Sequence, residues 1–221
     1  MNVLLSMLLV TLIGIISCIC GGNYIDSYFK KNGFHNPLPN HKFLIAFFFS
    51  VFASIFIAWS YGDYASVIAS VFLGICILVS ITDLNIYKVP NLLSYLSIIT
   101  AFISIFIYSF VHLSTHYLIN AFIVFVMLIV MTLVVVFTKL HIGMGDIKLC
   151  FGYLLWVGSF SWIYAVYAYG FALFLLIIYV ILASKSVKKD IAFAPFITVS
   201  ALCVWLINIS NTYTILEIVT R

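Results

Sequence analysis

Two aspartates, Asp83 and Asp146, have the residue type and the position that chemistry could use. Each directly adjoins a long apolar stretch, Asp83 at the end of one predicted helix and Asp146 at the start of another. The other acidic residues lie in predicted loops or the tail: Asp26, Asp63, Asp190 and Glu217. An ionisable group at a membrane boundary inside a bundle is costly, which makes it a functional candidate by default. The alternative is structural, because a carboxylate in a first helical turn complements the helix dipole.

Asp83 and Asp146 could act together if one bundle brings their carboxyl groups within hydrogen-bond distance. Two carboxylates that close do not both ionise readily, so one keeps its proton while the other remains a base. The base can take a proton from a bound water while the acid donates to a scissile carbonyl. Such a pair hydrolyses peptides and requires neither a metal nor a cofactor.

Gly143 and Gly145 stand just before Asp146 in the stretch HIGMGDIKLC. Glycine permits a tight turn or a close backbone approach that a side chain would block, so a peptide could lie against this strip. An ordinary turn between helices is the alternative, since a lone G-x-G is weak evidence.

Other catalytic motifs are absent from the sequence. There is no G-x-S-x-G, no H-E-x-x-H and no phosphate-binding loop. The cysteines fall in apolar stretches without the C-x2-C spacing of a zinc site, and they are Cys18, Cys20, Cys76, Cys150 and Cys203. We therefore interpret them as small apolar core residues and expect no metal site.

The composition predicts an all-α polytopic membrane protein formed by one domain over residues 1–221. Hydrophobic residues make up 66% of the chain, charged residues 7%, and the mean hydropathy is +1.28. The net charge of +4 is spread over short loops, which gives no support for nucleic-acid binding.

The apolar stretches predict a bundle of about eight transmembrane helices. The run over 92–138 is divided at HLSTHY, and the run over 149–184 is too long for one span and is divided at GSFSW, residues 158–162. The sixth helix, near 147–158, is then noticeably short. The charge-free runs cover 3–25, 43–62, 64–82, 92–138, 149–184 and 191–216.

This count puts every lysine on one side of the membrane. By the positive-inside rule that side is the cytoplasm, and both termini lie outside. Residues 23–41, with Pro37, Pro39 and several asparagines, are then a short cytoplasmic loop. The lysines are Lys30, Lys31, Lys42, Lys88, Lys139, Lys148, Lys185, Lys188 and Lys189.

Three segments resemble the type IV prepilin peptidases, membrane aspartic proteases of the G-x-G-D kind. GMGDIKL at 143–149 matches the family's second aspartate motif, and DLNIYKVPN at 83–91 matches the first with Val89 in place of isoleucine. AFAPFITVSAL at 192–202 partly matches the P-F-G-P-F segment that opens the last helix, with alanines replacing the first proline and the glycine. The similarity spans essentially the whole chain.

The resemblance implies that Asp83 and Asp146 are the catalytic pair of a cytoplasm-facing site. The substrates would be pilin-like precursors, in true pili, competence pseudopili or secretion systems, whose basic leader is cut after a glycine. Residues that match the motifs would bind substrate or support the loops: Pro90, Asn91, Gly143, Gly145, Lys148 and Pro195. Lys148 could also tune an aspartate, or it could simply extend its amine to the membrane surface.

The chain departs from the family at its first cytoplasmic loop. Many members have a large insert there with paired C-x-x-C motifs, associated with methylation of the new N-terminus, whereas residues 23–41 contain no cysteine. The sequence therefore favours a peptidase without methyltransferase activity. A proton- or ion-coupled transporter and an inactive assembly subunit are the alternatives. Transporter aspartates tend to lie near the bilayer midplane, whereas these two lie at one interface. The oligomeric state is open.

Overall fold

The computed structural model describes residues 3–33, 64–138, 143–182 and 192–219. Within these ranges the chain forms seven helices and no strands, which confirms the all-α prediction. The helices are α1 (Val3–Lys31), α2 (Tyr64–Ile86), α3 (Asn91–Val111), α4 (His116–Phe137), α5 (Met144–Gly158), α6 (Trp162–Leu182) and α7 (Ala194–Val219). The predicted span 43–62 and five of the lysines lie outside the described residues: Lys42, Lys139, Lys185, Lys188 and Lys189.

Four of the described helices, α2, α3, α4 and α6, are long and apolar enough to cross a membrane. The membrane-length apolar stretch of α2 is 67% buried inside the protein, whereas those of α4 and α6 are 22% and 17% buried. The outward apolar faces of α4 and α6 are suited to contact with lipid. The bundle of eight spans and the outside location of both termini stay predictions.

The two interruptions predicted inside the long apolar runs are confirmed. α3 ends at Val111 and α4 begins at His116, so the HLSTHY segment contains the turn. α5 ends at Gly158 and α6 begins at Trp162, at the GSFSW segment.

The end of α1 differs from the expectation. Residues 23–31 of the segment predicted as loop 23–41 are helical, and 34–41 lie outside the described residues. Ile25 and Phe29, one turn apart on the helix, are both fully buried, so this extension has an apolar face of its own.

The chain divides into two compact units, Met1–Leu93 and Ser94–Arg221. In the first unit α1 packs against α2. A β-carbon added to Gly21 would come within 2.8 Å of the side chain of Leu78, so the absent side chain permits a close approach of the two helices.

The second unit is built around α5. This helix contacts α4, α6 and α7, and every residue from Gly152 to Gly158 is buried. Trp156 of α5 and Trp205 of α7 are fully buried and stack with their ring centroids 5.5 Å apart. Because α5 is buried to this extent, packing fixes the position of the helix that begins at the G-x-G-D segment.

Candidate active site

Asp83 lies in the last turn of α2, and only 3% of its surface is exposed. Its backbone carbonyl accepts a hydrogen bond of 2.9 Å from the N–H of Tyr87, which closes the helix end. Tyr87 has a φ of 53°, the left-handed conformation common just after a helix terminus. A carboxyl group is rarely buried this deeply without a structural or functional reason.

The polar neighbours of Asp83 bond to their own helix. The hydroxyl of Thr82 donates to the carbonyl of Val79 at 2.9 Å, and the amide of Asn85 donates to the carbonyl of Ile81 at 2.6 Å. Asp83 is the one acidic side chain in the last turn of α2.

Asp146 lies in the first turn of α5 and is partly buried. The preceding Gly143 is the N-cap, and its carbonyl accepts from the N–H groups of Asp146 at 3.0 Å and Ile147 at 3.2 Å. The carboxylate therefore stands at the N-terminus of α5, the positive end of the helix dipole.

Gly143 provides space rather than an unusual backbone conformation. Its φ of −61° and ψ of 129° are open to any residue. A β-carbon at this position would come within 2.9 Å of Oδ2 of Asp146. The group that lies close to Gly143 is thus the carboxylate of Asp146, and the approach of a substrate peptide stays a prediction. Gly145 follows as the second residue of α5 and is partly buried.

Lys148 contacts an aromatic ring of a different helix. Its Nζ lies 5.0 Å from the centroid of Tyr95, in the second turn of α3, within cation–π range. Tyr95 was not anticipated from the sequence, because nothing in the pattern of a single chain indicates which ring will face a given lysine. The contact joins the beginnings of α3 and α5.

Pro90, Asn91 and Pro195 all occupy helix beginnings. Pro90 is buried and immediately precedes α3, and its carbonyl accepts a hydrogen bond of 3.1 Å from the N–H of Leu93. Asn91 is the exposed first residue of that helix. Pro195 is the second residue of α7, where the missing N–H costs nothing because that group has no partner within the helix. These positions support the helix ends; contact with substrate stays a prediction.

The pairing of the two carboxylates also stays a prediction, because Asp83 belongs to the first unit and Asp146 to the second. In the part of the chain that the structure describes, no group of three or more histidine, cysteine or acidic side chains could hold a metal ion. The described cysteines, Cys20, Cys76, Cys150 and Cys203, are free thiols.

A family model described as the type IV leader peptidase family matches residues 70–184, slightly more than half of the chain. The matched span includes Asp83, Asp146 and Lys148 and ends before Pro195. No curated protein and no solved structure gives a match.

Proposed function

The chain belongs to the type IV leader peptidase family, and we propose that it is a membrane aspartic endopeptidase with Asp83 and Asp146 as its catalytic pair. It removes the leader from prepilin-like precursors at the cytoplasmic face of the membrane. The observation that carries this proposal is the family match over a span that contains both aspartate motifs. The deep burial of Asp83 and the helix-terminal position of Asp146 support the roles of the two residues.

The proposal places both carboxyl groups at one face of the membrane. Asp83 lies in the last turn of α2 and Asp146 in the first turn of α5. Both aspartates then lie near helix ends on the side that the lysine distribution assigns to the cytoplasm.

In the proposed reaction, one aspartate is ionised and the other is protonated. The ionised carboxylate accepts a proton from a water, which attacks the carbonyl carbon of the scissile bond. The protonated carboxyl donates a hydrogen bond and then its proton as the tetrahedral species forms, and the leaving amine takes up a proton as the C–N bond breaks. The position of Asp146 at a helix N-terminus suits it to the ionised role at the start of the cycle.

The cytoplasmic segment 23–41 contains no cysteine, so the proposal covers leader removal without methylation of the product. The protein is proposed to cross the bilayer eight times with both termini outside. No observation favours the transporter or the inactive subunit over this function.

The test is cleavage of a co-expressed pilin-like precursor from the same genome. Asp83→Asn and Asp146→Asn should each abolish processing while the protein still accumulates in the membrane, because the pair needs both groups. The matched control is Asp63→Asn, which removes an acidic group from the predicted opposite face and should leave processing intact. Full processing by either single variant would refute the assignment.

A further inference from the structure

The end of α5 opposite Asp146 is held by a polar side chain of a neighbouring helix. Asn120 of α4 is 5% exposed, although it lies in one of the most apolar helices of the chain. Its Nδ2 donates to the carbonyl of Phe160 at 3.2 Å and to that of Ser159 at 3.4 Å. Both carbonyls belong to the turn that follows α5. In a membrane such groups require a protein partner when water does not reach them.

The same amide nitrogen contacts the ring of His116, one turn earlier on α4. The distance from Nδ2 to Nε2 is 2.8 Å. An amide nitrogen is a donor without an acceptor site, and the two carbonyls fix the orientation of the amide, because its oxygen would repel them. Nε2 of His116 is then placed to accept from one hydrogen of this nitrogen, and the two carbonyls share the other.

Aromatic side chains surround this network. Tyr117 contacts the ring of His116, with centroids 6.2 Å apart, and also packs near Tyr108 and Phe160. Tyr108 and Phe160 meet edge to face at 4.9 Å. The network thus joins α3, α4 and the turn after α5 at one end of the second unit.

We propose that Asn120 is a positioning residue for Asp146. Asn120 fixes the position of α5 along its own axis within the second unit, through a hydrogen-bond network that needs an acceptor at position 116. This inference rests on the proposed function of Asp146. Apolar packing along α5 has no preferred direction, whereas hydrogen bonds constrain both distance and angle. Since α5 is a single rigid element of 15 residues, a shift at its end moves the first turn, and Asp146 with it.

Four substitutions separate this role from general packing. Asn120→Leu removes the donor, and His116→Leu and His116→Lys remove the acceptor, whereas His116→Gln keeps one. The matched control is Thr132→Val on α4, because the hydroxyl of Thr132 bonds within its own helix, to the carbonyl of Leu128 at 2.8 Å.

The kinetic test is the maximal rate of precursor cleavage by the purified full-length variants. Misplacement of a catalytic group by about 1 Å can cost on the order of a hundredfold in rate, so Asn120→Leu, His116→Leu and His116→Lys should lower kcat at least about tenfold. KM should change by less than about twofold, and His116→Gln and Thr132→Val should keep near-normal kcat. Normal kcat in Asn120→Leu, or equal loss in His116→Gln and His116→Lys, would overturn the proposal.

A second measurement does not depend on activity. Tyr95→Cys and Lys148→Cys are introduced together into a chain whose native cysteines are replaced by alanine. The yield of cross-linking between them by a short bifunctional thiol reagent then reports the position of α5 along its axis relative to α3. We expect a high yield with Asn120 present and at least about a threefold lower yield with Asn120→Leu. An unchanged yield, or no cross-link in the Asn120 parent, would contradict the proposal. If the wild type fails to cleave any precursor, the proposed function falls, and this yield still decides whether Asn120 positions α5.

Discussion

Nζ of Lys148 lies 5.0 Å from the ring centroid of Tyr95, and this contact joins the first turns of α5 to those of α3. Tyr95 is 51% exposed, so the contact belongs to the range of cation–π pairs at exposed sites, about 0.5–1 kcal/mol. We predict that Lys148→Met and Tyr95→Leu each lose this contribution to the free energy of unfolding. Tyr95→Phe should retain it, because the ring face remains.

The measurement is a double-mutant cycle on thermal unfolding in detergent. The coupling energy between Lys148→Met and Tyr95→Leu should be about 0.5–1 kcal/mol. A coupling energy of zero would mean that the two side chains do not support each other. Loss of cleavage in Lys148→Met at unchanged stability would instead assign the amine to the reaction.

Gly143→Ala should impair cleavage more than it impairs folding. The new β-carbon would lie 2.9 Å from Oδ2 of Asp146, a separation too short for unbonded atoms, so the carboxylate must move. Alanine at an N-cap in place of glycine costs about 1 kcal/mol or less, and a displaced catalytic group costs on the order of tenfold to a hundredfold in rate.

The control for this variant is Met144→Ala. Met144 is the next residue and its side chain is 58% exposed, so cleavage should stay near normal. Wild-type rates in Gly143→Ala would show that the carboxylate tolerates displacement or has no catalytic role.

Gly152→Ala should destabilise the protein. Its β-carbon would collide with the hydroxyl of Ser97, and would lie 2.7 Å from the β-carbon and 2.8 Å from the backbone carbonyl carbon of that residue. Because backbone cannot move as a side-chain tip can, we expect a cost of about 1–3 kcal/mol. Thermal unfolding measures it.

Gly170→Ala is the matched comparison. Gly170 lies in α6 with no atom near its missing side chain, so alanine should be neutral or stabilise by up to about 1 kcal/mol. Equal melting temperatures for the two variants would be inconsistent with the close packing of α3 and α5.

Tyr87 is held in a left-handed conformation next to the buried Asp83, with φ of 53°. A side chain pays about 1–2 kcal/mol for this conformation, and glycine does not. We predict that Tyr87→Gly raises the free energy of unfolding by up to about 1 kcal/mol, and that the β-branched Tyr87→Val lowers it by about 1 kcal/mol or more. Chemical denaturation would measure both changes, and a Tyr87→Val variant as stable as the wild type would contradict the prediction.

The sequence allowed prediction of helix interruptions better than of helix ends. Polar and glycine-containing segments such as GSFSW stop a span for local reasons, and the structure confirms that break. The extension of α1 to Lys31 was missed because asparagines and charges resemble a loop. Its helical register becomes visible only from the burial of Ile25 and Phe29.

The acidic residues of the candidate site could be predicted from the sequence, but the residues that contact them could not. Asp146 and Gly143 stand out from the pattern, but the atom that the glycine accommodates depends on the rotamer of the aspartate. Tyr95 comes from a helix remote in sequence, so only the tertiary packing identifies it. Asn120 carried a signal that could have been used, because an amide inside an apolar span requires partners.

The 15 residues of α5 rise about 22 Å, against about 33 Å for the 22 residues of α4 beside it and roughly 30 Å for the hydrocarbon layer. Asn120 lies one turn inside α4 and bonds to the carbonyls just after α5, so the other end of α5 lies within about 5 Å of the end of α4. A helix of this length is shorter than the hydrocarbon layer, so a carboxylate in its first turn approaches the polar boundary of the bilayer more closely where the layer is thin. Shorter acyl chains would bring the headgroups nearer to the carboxylate, so bilayer thickness itself becomes a variable in the supply of water and substrate.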